Sequence, residues 1–412
     1  MHHLNAAGAS PPNDLAPGNE TDLDTVDRVL DQSAGPARKA VSPVSTPRTA
    51  DVVVIGAGIH GLSAAWSLAR RGLSVLQIEQ FASGHGEGSS HGATRMIRRA
   101  YPNQIWDPLV EAAYVAWQKL SEVAGEQLIN VVGGLYSRPA GVASSLRGPG
   151  CRTLTAEESF TAFPGLRVAE GSTSLYDPAA GIIRADAALR VLRRLGRAAG
   201  VSTLGGTRVL SWMNNADSVL LDTTAGPISA GRVIVCAGPW TGSLLPEFAP
   251  QLNVVRIVNA YLASSTPALV APPNLGVFSF QTEDDRLFYG FGSFEGRDLK
   301  VGLDDGPIDR LDVPRAPVSV EEENALLVLA RRFVRGADGP VTDSLSCRYT
   351  MAPKSRFAIG AVPGRGNTLV AAACSGHGFK FGPAVGEALA DLVEGLPRPD
   401  LDFLAPDDML LP

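Results

Sequence analysis

The strongest constraint in this chain is a run of six residues, Gly56-Ala57-Gly58-Ile59-His60-Gly61, preceded by the apolar stretch Val52-Val53-Val54-Ile55. A short, continuous apolar run suits a strand buried on both faces, as in a parallel sheet. The glycines open a helix that reads through about Arg71, with Gly72 as its stop. A second strand, Leu73 to Ile78, ends at Glu79. Strand, G-x-G-x-x-G, helix, and a strand ending in an acid form the dinucleotide fingerprint in its required context. Gly56 permits the tight turn, Gly58 lets the backbone approach a pyrophosphate, and Gly61 lets helix and strand pack closely. The helix N-terminus presents free N–H groups and partial positive charge to that pyrophosphate. Glu79, 23 residues after Gly56, is placed to accept hydrogen bonds from ribose hydroxyls.

Composition narrows the class. The chain has 412 residues, enough for two or three domains, and is 45% hydrophobic and 19% charged, which allows a sizeable core and places it in the globular class. A net charge of −6 gives no footing for nucleic acid or an anionic membrane. Cys151, Cys236, Cys347 and Cys374 lack metal-ligand spacing, so they read as reduced thiols of a cytoplasmic protein, and no metal is expected. No apolar run approaches the ~18 residues that would span a bilayer. The opening MHHLNAAGASPPND lacks a basic region followed by an apolar one, so it is not read as a secretory signal. Residues 1–50, rich in Ala, Pro, Ser, Asp and Thr, are expected to be a disordered extension, with order beginning at Asp51.

The remaining pattern alternates between periods. Helices are expected from about Pro108 to Val123, from Ala185 to Ala199, and from a Ser319/Glu322 capping box through Phe333. Residues 206–236 and 251–301 read as strands and turns. Thr368 to Ala372 is a strand, then a Gly-rich segment opens a last helix to about Val393. The glycine motif does not separate FAD from NAD, but the second half does. The segment VIVCAGPW (233–240) resembles one that flavin oxidoreductases place beside the dinucleotide, and Ser375-Gly376-His377-Gly378-Phe379-Lys380-Phe381 opens a helix. A Gly-rich helix N-terminus stabilises negative charge on the pyrimidine ring of a reduced flavin.

Four stretches, GSSHGATRMIRRAY (88–101), FYGFGSFEGRDLKVG (288–302), CRYT (347–350) and SGHGFKF (375–381), resemble the monomeric sarcosine oxidase and N-methyltryptophan oxidase family of D-amino-acid-oxidase-like flavoproteins. The resemblance covers about residues 51–395. It implies a mixed α/β and α+β fold: a Rossmann-type FAD-binding domain with a second, sheet-rich substrate domain roofing the flavin. Residues 51–130, 176–250 and 345–412 fall to the first and 131–175 and 251–344 to the second. The implied activity is oxidation of a secondary or cyclic amino acid by FAD, giving an imine and, through O2, hydrogen peroxide. A monomer is implied. A flavin dehydrogenase using a non-oxygen acceptor is the alternative; an NAD enzyme is at odds with the C-terminal segment, and a non-catalytic flavoprotein with the set of cations below.

The resemblance also assigns residues. Cys347 matches the cysteine linked by a thioether to the flavin 8α-methyl, with Cys374 as its rival. The thiolate needs a cation: Arg348 is adjacent in sequence, and His91 and Arg95 match residues near the flavin. Arg98 and Lys380 match the pair that grips the substrate carboxylate, one a planar fork and the other a point charge. Lys300 matches the lysine that activates oxygen, a fixed cation where superoxide forms. Tyr289, eleven residues upstream as in the family pattern, either lines the substrate pocket or packs within the sheet. Gly376, His377, Gly378 and Phe379 lie at the flavin, with His377 close to the ring rather than acting as a base. Asp304 stands where sarcosine oxidase carries a histidine, and PNQIWD (102–107), with Trp106, is one residue shorter than its counterpart. Both changes fall at the substrate cavity and favour a larger or cyclic amino acid over sarcosine. Asp304 is expected to oppose a second acid on the substrate.

Overall fold

Main-chain pairing begins before side-chain hydrophobicity announces it. The computed structural model describes residues 48–142, 144–372 and 374–410, and its first strand is Arg48–Ile55. Order therefore starts at least three residues ahead of Asp51. Arg48, Thr49 and Ala50 pair with Ile228, Ser229 and Ala230, and a parallel ladder needs only backbone groups there, so polar, exposed residues suffice. The rest of the expected extension, residues 1–47, lies outside the described residues.

The fingerprint folds as its spacing demands. Arg48–Ile55 pairs in parallel with Val75–Ile78 on one side and Ile228–Val235 on the other. Ile228–Val235 is long enough to serve two partners, pairing through its first half with Val219–Thr223 and through its second with Thr368–Ala372. Ser202–Leu204, Val209–Asn214 and Ala358–Ala361 complete an eight-stranded sheet. The helix Ile59–Ala69 packs on Gly382–Val393 and on Ala185–Ala198. Close approach is built in at Gly386, where a Cβ would come within 2.5 Å of the Ser63 carbonyl carbon. The core strands Val52–Val54 and Val233–Val235 are almost wholly buried, which is why they read as apolar without alternation.

A second eight-stranded sheet is mostly antiparallel. Its order runs Val341–Met351, Asn253–Leu262, Leu299–Leu303, Leu287–Phe291, Val277–Gln281, Gly134–Arg138, Thr173–Asp177, Arg152–Leu154. Its apolar face packs against the helix Val320–Phe333, which starts at the expected capping box. Its other face carries Tyr136, Ser279, Tyr289 and Lys300. The strand Val341–Met351 belongs to this sheet, so a boundary at residue 345 falls inside a strand. A small third sheet, Thr94–Ile97 with Gly181–Arg184 and Ile129–Val131, holds Arg95 next to the interface of the two large ones. No helix among the described residues is long and apolar enough to cross a membrane.

Candidate active site

Two cavities share the strand Val341–Met351 as a wall: Arg348 and Thr350 line one, and Cys347, Tyr349 and Met351 line the other. The larger, about 760 Å³, is lined by Gly56, Gly58, Glu79, His91, Trp240 and Phe379, among others. Gly56 sits at φ +104°, and a Cβ there would lie 2.3 Å from the Cys236 carbonyl oxygen. A Cβ on Gly61 would lie 2.1 Å from the Gly56 oxygen, so these two positions admit only glycine. Glu79 accepts the N–H of Ala57 at 2.8 Å and of Phe81 at 3.0 Å. Burial raises its carboxyl, but His85 and these N–H groups outweigh that and hold it below the ordinary range. Oε1 also faces His85 Nε2 at 3.4 Å, so Oε2 is the oxygen that keeps a lone pair for a ribose hydroxyl. A Gly-lined backbone cradle, an ionised acid at the strand end and this volume fit FAD, whose fingerprint glycines and Glu79 are the residues that would hold it.

The smaller cavity, about 340 Å³, is lined by Arg95, Arg98, Tyr289, Lys300, Asp304, Cys347, Gly376, His377 and Lys380. Nine expected site residues from four distant segments thus share one space. Lys300 lies between Phe291 and Tyr261 on neighbouring strands, its Nζ 5.1 and 6.0 Å from their ring centres, and donates to the Thr94 carbonyl at 3.3 Å. Arg95 donates to the same carbonyl and to those of Ser89 and His91, with its guanidinium over the Phe379 ring. Tyr289 donates to Asn259 Oδ1 at 2.8 Å across Gly302, where a Cβ would meet the phenol at 2.8 Å. Lys380 is buried on the 3-10 turn Phe379–Phe381 and donates to Tyr101 Oη at 3.0 Å and to the His377 carbonyl at 2.7 Å. The Tyr101 hydroxyl lies 3.1 Å from His377 Nδ1, and His377 Nε2 lies 2.9 Å from the Ser355 carbonyl, which makes Nε2 the donor and Nδ1 the acceptor. Arg98 rests against the faces of Tyr101 and Tyr136, at 5.2 and 5.3 Å.

The model of the DAO family, FAD dependent oxidoreductase, matches residues 51–392. The chain belongs to this family. It is 30% identical over 361 residues to monomeric sarcosine oxidase of Bacillus sp. (strain B-0618), covering 83% of this chain and 91% of that one. It is 32% identical over 358 residues to N-methyl-L-tryptophan oxidase of Escherichia coli (strain K12 / DH10B), covering 84% and 95%. The solved structure of NikD, an unusual amino acid oxidase essential for nikkomycin biosynthesis, matches with a TM-score of 0.75 at 26% identity, over 87% of this chain and 98% of that one. The protein is an FAD-dependent oxidoreductase of the class acting on CH–NH bonds.

In this FAD-dependent oxidoreductase the three arginines of the 95–99 stretch have separate fates. Arg99 is paired with Glu111 at 2.7 Å. Arg95 and Arg98 have no acid within ion-pair distance among the described residues. Arg348, the sequence neighbour of Cys347, points to the other side of the strand. It is buried, bound to Asp309 at 2.6 Å and to Glu87 at 3.2 Å, and lines the larger cavity. It is a structural ion pair, not the thiol's cation, because alternate strand residues face opposite ways. Burial pushes the Cys347 thiol up, while Arg95, Lys300 and Arg315 pull it down. His91 borders the larger cavity rather than the smaller one. Burial, then Arg95, lower it to about 4, against the Gly88 and Ser346 carbonyls at its two nitrogens, which raise it. Cys374 also reaches the larger cavity. Gly61 and Gly378 act on packing without lining either cavity: a Cβ at Gly378 would lie 2.4 Å from that of Cys374.

Sequence reasoning passed over three contributors. Tyr101 stands three residues after Arg98 and completes a visible i, i+3, i+6 series from Arg95. Asn259 anchors Tyr289, and nothing local in the sequence marks it. Arg138, two residues beyond Tyr136 on one strand, enters the same cavity.

Burial, then Arg95, lowers the Lys300 ammonium from 10.5 to about 7. Between those values the unfolded chain binds more protons than the folded one, so this group's contribution to stability increases as pH rises from 7 towards 10.5. Lys300→Met is therefore expected to raise the melting temperature of the cofactor-free protein near pH 7, by a stabilisation of at least about 1 kcal/mol. The gain should shrink as the pH approaches 10.5; a Tm difference that is independent of pH would contradict the burial argument.

Proposed function

We propose that this enzyme oxidises a secondary or cyclic amino acid to the corresponding imine, with O2 as the electron acceptor. The observation that carries the reading is the pair Arg98 and Lys380. They come from opposite ends of the chain, open onto one cavity and have no acid partner among the described residues. Unpaired, partly desolvated cations are costly, and a substrate carboxylate relieves both. The names of the sarcosine and N-methyl-L-tryptophan relatives point to N-alkyl amino acids as the first compounds to test.

Bound FAD supplies the chemistry by accepting the two electrons and hydrogen lost from the carbon beside the nitrogen. The protein's part is placement, charge and exclusion of water. Arg98 and Lys380 fix the carboxylate, and the Tyr101 hydroxyl holds the Lys380 ammonium in line. Trp106, stacked on Tyr101 at 5.2 Å, walls the cavity with Phe357 and Phe403 behind it. Lys300 supplies a buried positive charge for the oxygen step. His377 Nδ1 is already occupied by Tyr101, so amine deprotonation does not run through it.

Cys347 is the residue we assign to a covalent flavin link. It faces the substrate cavity beside the Lys300 and Arg95 charges. Such a thioether would replace the thiol proton and one proton of the flavin methyl by a C–S bond, with O2 as the acceptor of the two electrons released. The purified protein is expected to be yellow, with the colour retained on the polypeptide after acid precipitation. Cys347→Ser should release it into the supernatant. Flavin that washes freely from the denatured wild type would refute the link. Hydrogen peroxide formed on adding N-methyl and cyclic amino acids, compared with turnover using an artificial acceptor, separates the oxidase from a dehydrogenase.

A further inference from the structure

The substrate cavity carries more basic side chains than a single carboxylate requires. Its lining includes Arg95, Arg98, Arg138, Lys300, Lys354 and Lys380 against one acid, Asp304. Arg95 and Lys300 are tied to the Thr94 carbonyl, and Arg98 with Lys380 takes the carboxylate beside the amine. Arg138 and Lys354 are left over; Lys354 is exposed, and strand register shows where the half-buried Arg138 lies. Tyr136 pairs with Ser279, Ser279 with Tyr289, and Tyr289 with Gly302, forming one row across the pocket face of the second sheet. Two residues further along each strand, Arg138, Gln281, Leu287 and Asp304 form the next row. It is joined by the Arg138–Gln281 hydrogen bond and by the Leu287 N–H to Asp304 Oδ1 bond at 3.0 Å. This row is one residue pair, about 7 Å, beyond the row that holds Tyr289.

Arg138 is half-buried, and among the described residues no acid lies within ion-pair distance of it. Its Nη1 is bound to the neutral Gln281, which leaves Nε and Nη2 as a fork able to grip two oxygens. Asp304 does not neutralise this fork. It is exposed, one of its oxygens is taken by the Leu287 N–H, and charge exposed to water is heavily screened. Asp285, which accepts from Gln281 Nε2, also attracts Arg138 without pairing with it, and it too is exposed. A half-buried arginine therefore outweighs these two aspartates for whatever group enters this end.

We propose that Arg138 forms a second anion subsite, and that the substrate is an N-alkyl or cyclic amino acid whose side chain ends in a second acidic group. The assignment rests on the amino-acid oxidase reading above. It reverses the sequence expectation that Asp304 excludes such an acid.

The test compares three substrates of similar reach, N-methyl-L-glutamate, N-methyl-L-glutamine and N-methyl-L-lysine, on the holoenzyme. N-methyl-L-glutamate is expected to have the highest kcat/KM. Arg138→Gln should lower that value about thirtyfold, the lower range for removing one partner of a buried charge pair, and reduce the glutamine compound far less. Asp304→Asn should raise activity on the glutamate compound. A wild-type preference for the glutamine or lysine compound, or an acid preference that survives Arg138→Gln, overturns the subsite. A second readout does not need turnover: glutarate should perturb the flavin spectrum at lower concentration than butyrate, and Arg138→Gln should erase the difference. If no amine reduces the flavin but glutarate still outbinds butyrate through Arg138, the amino-acid oxidase reading fails while the subsite stands. Equal binding of the two acids removes the subsite alone.

Discussion

Lys380→Ala and Arg98→Ala should each weaken binding of a simple carboxylate inhibitor by roughly 2–5 kcal/mol, the range for removing one partner of a buried charge pair. The geometry explains why the effect should be large. Lys380 is buried, and its ammonium is met only by a phenol and a carbonyl. Burial, then the positive Arg98, hold it well below its ordinary value. An arriving carboxylate reverses that balance, so binding should draw a proton onto Lys380. Affinity should accordingly fall as pH rises, by up to about tenfold per unit while one proton is taken up. Lys380→Ala should abolish this slope as well as lowering affinity, whereas Arg98→Ala should lower affinity and retain the slope. Titration of the flavin spectrum with acetate across pH measures both. Amide and decarboxylated analogues should lose a similar energy in kcat/KM. If the best substrate is an uncharged amine and carboxylates leave the spectrum unmoved, the pair has another role and the amino-acid oxidase reading falls with it.

The second large effect concerns oxygen. Lys300→Met is expected to slow reoxidation of reduced flavin at least about tenfold, or ~1.4 kcal/mol of lost transition-state stabilisation. Lys300 is one of two cations on the Thr94 carbonyl, and Arg95 remains in the variant, so the loss should be partial rather than complete. Reduction by substrate should change less, because the carboxylate pair is untouched. Stopped-flow traces of the two half-reactions give each rate separately. Equal rates of oxygen reaction in variant and wild type would leave Lys300 as a structural cation held by its aromatic neighbours.

What could be read from the sequence was what is local. Gly56, Gly58, Gly61 and Glu79 act through spacing within one strand-turn-helix-strand unit, and spacing is written directly in the chain. The capping box at Ser319 and Glu322 is local in the same sense, and its helix begins at Val320. Lys300, Cys347, Arg98 and Lys380 were named through short motifs, and the structure gathers them into one cavity. The first strand begins ahead of its apolar run because Arg48 and Thr49 pair through their backbone and carry no apolar signal. The rest was decided by register and by which side of a strand a residue faces. Arg348 sits beside Cys347 in sequence yet is committed to Asp309 and Glu87 on the opposite face. Arg95, Arg98 and Arg99 look alike in the chain, but among the described residues only Arg99 meets an acid, because the helix Asp107–Ala124 brings Glu111 to it. Arg138 gains its place from four strands drawn from residues 134–138, 277–281, 287–291 and 299–303, aligned so that it and Asp304 share a row. No window of sequence contains that row: a charge acquires its partner, or lacks one, only when the sheet has closed around it.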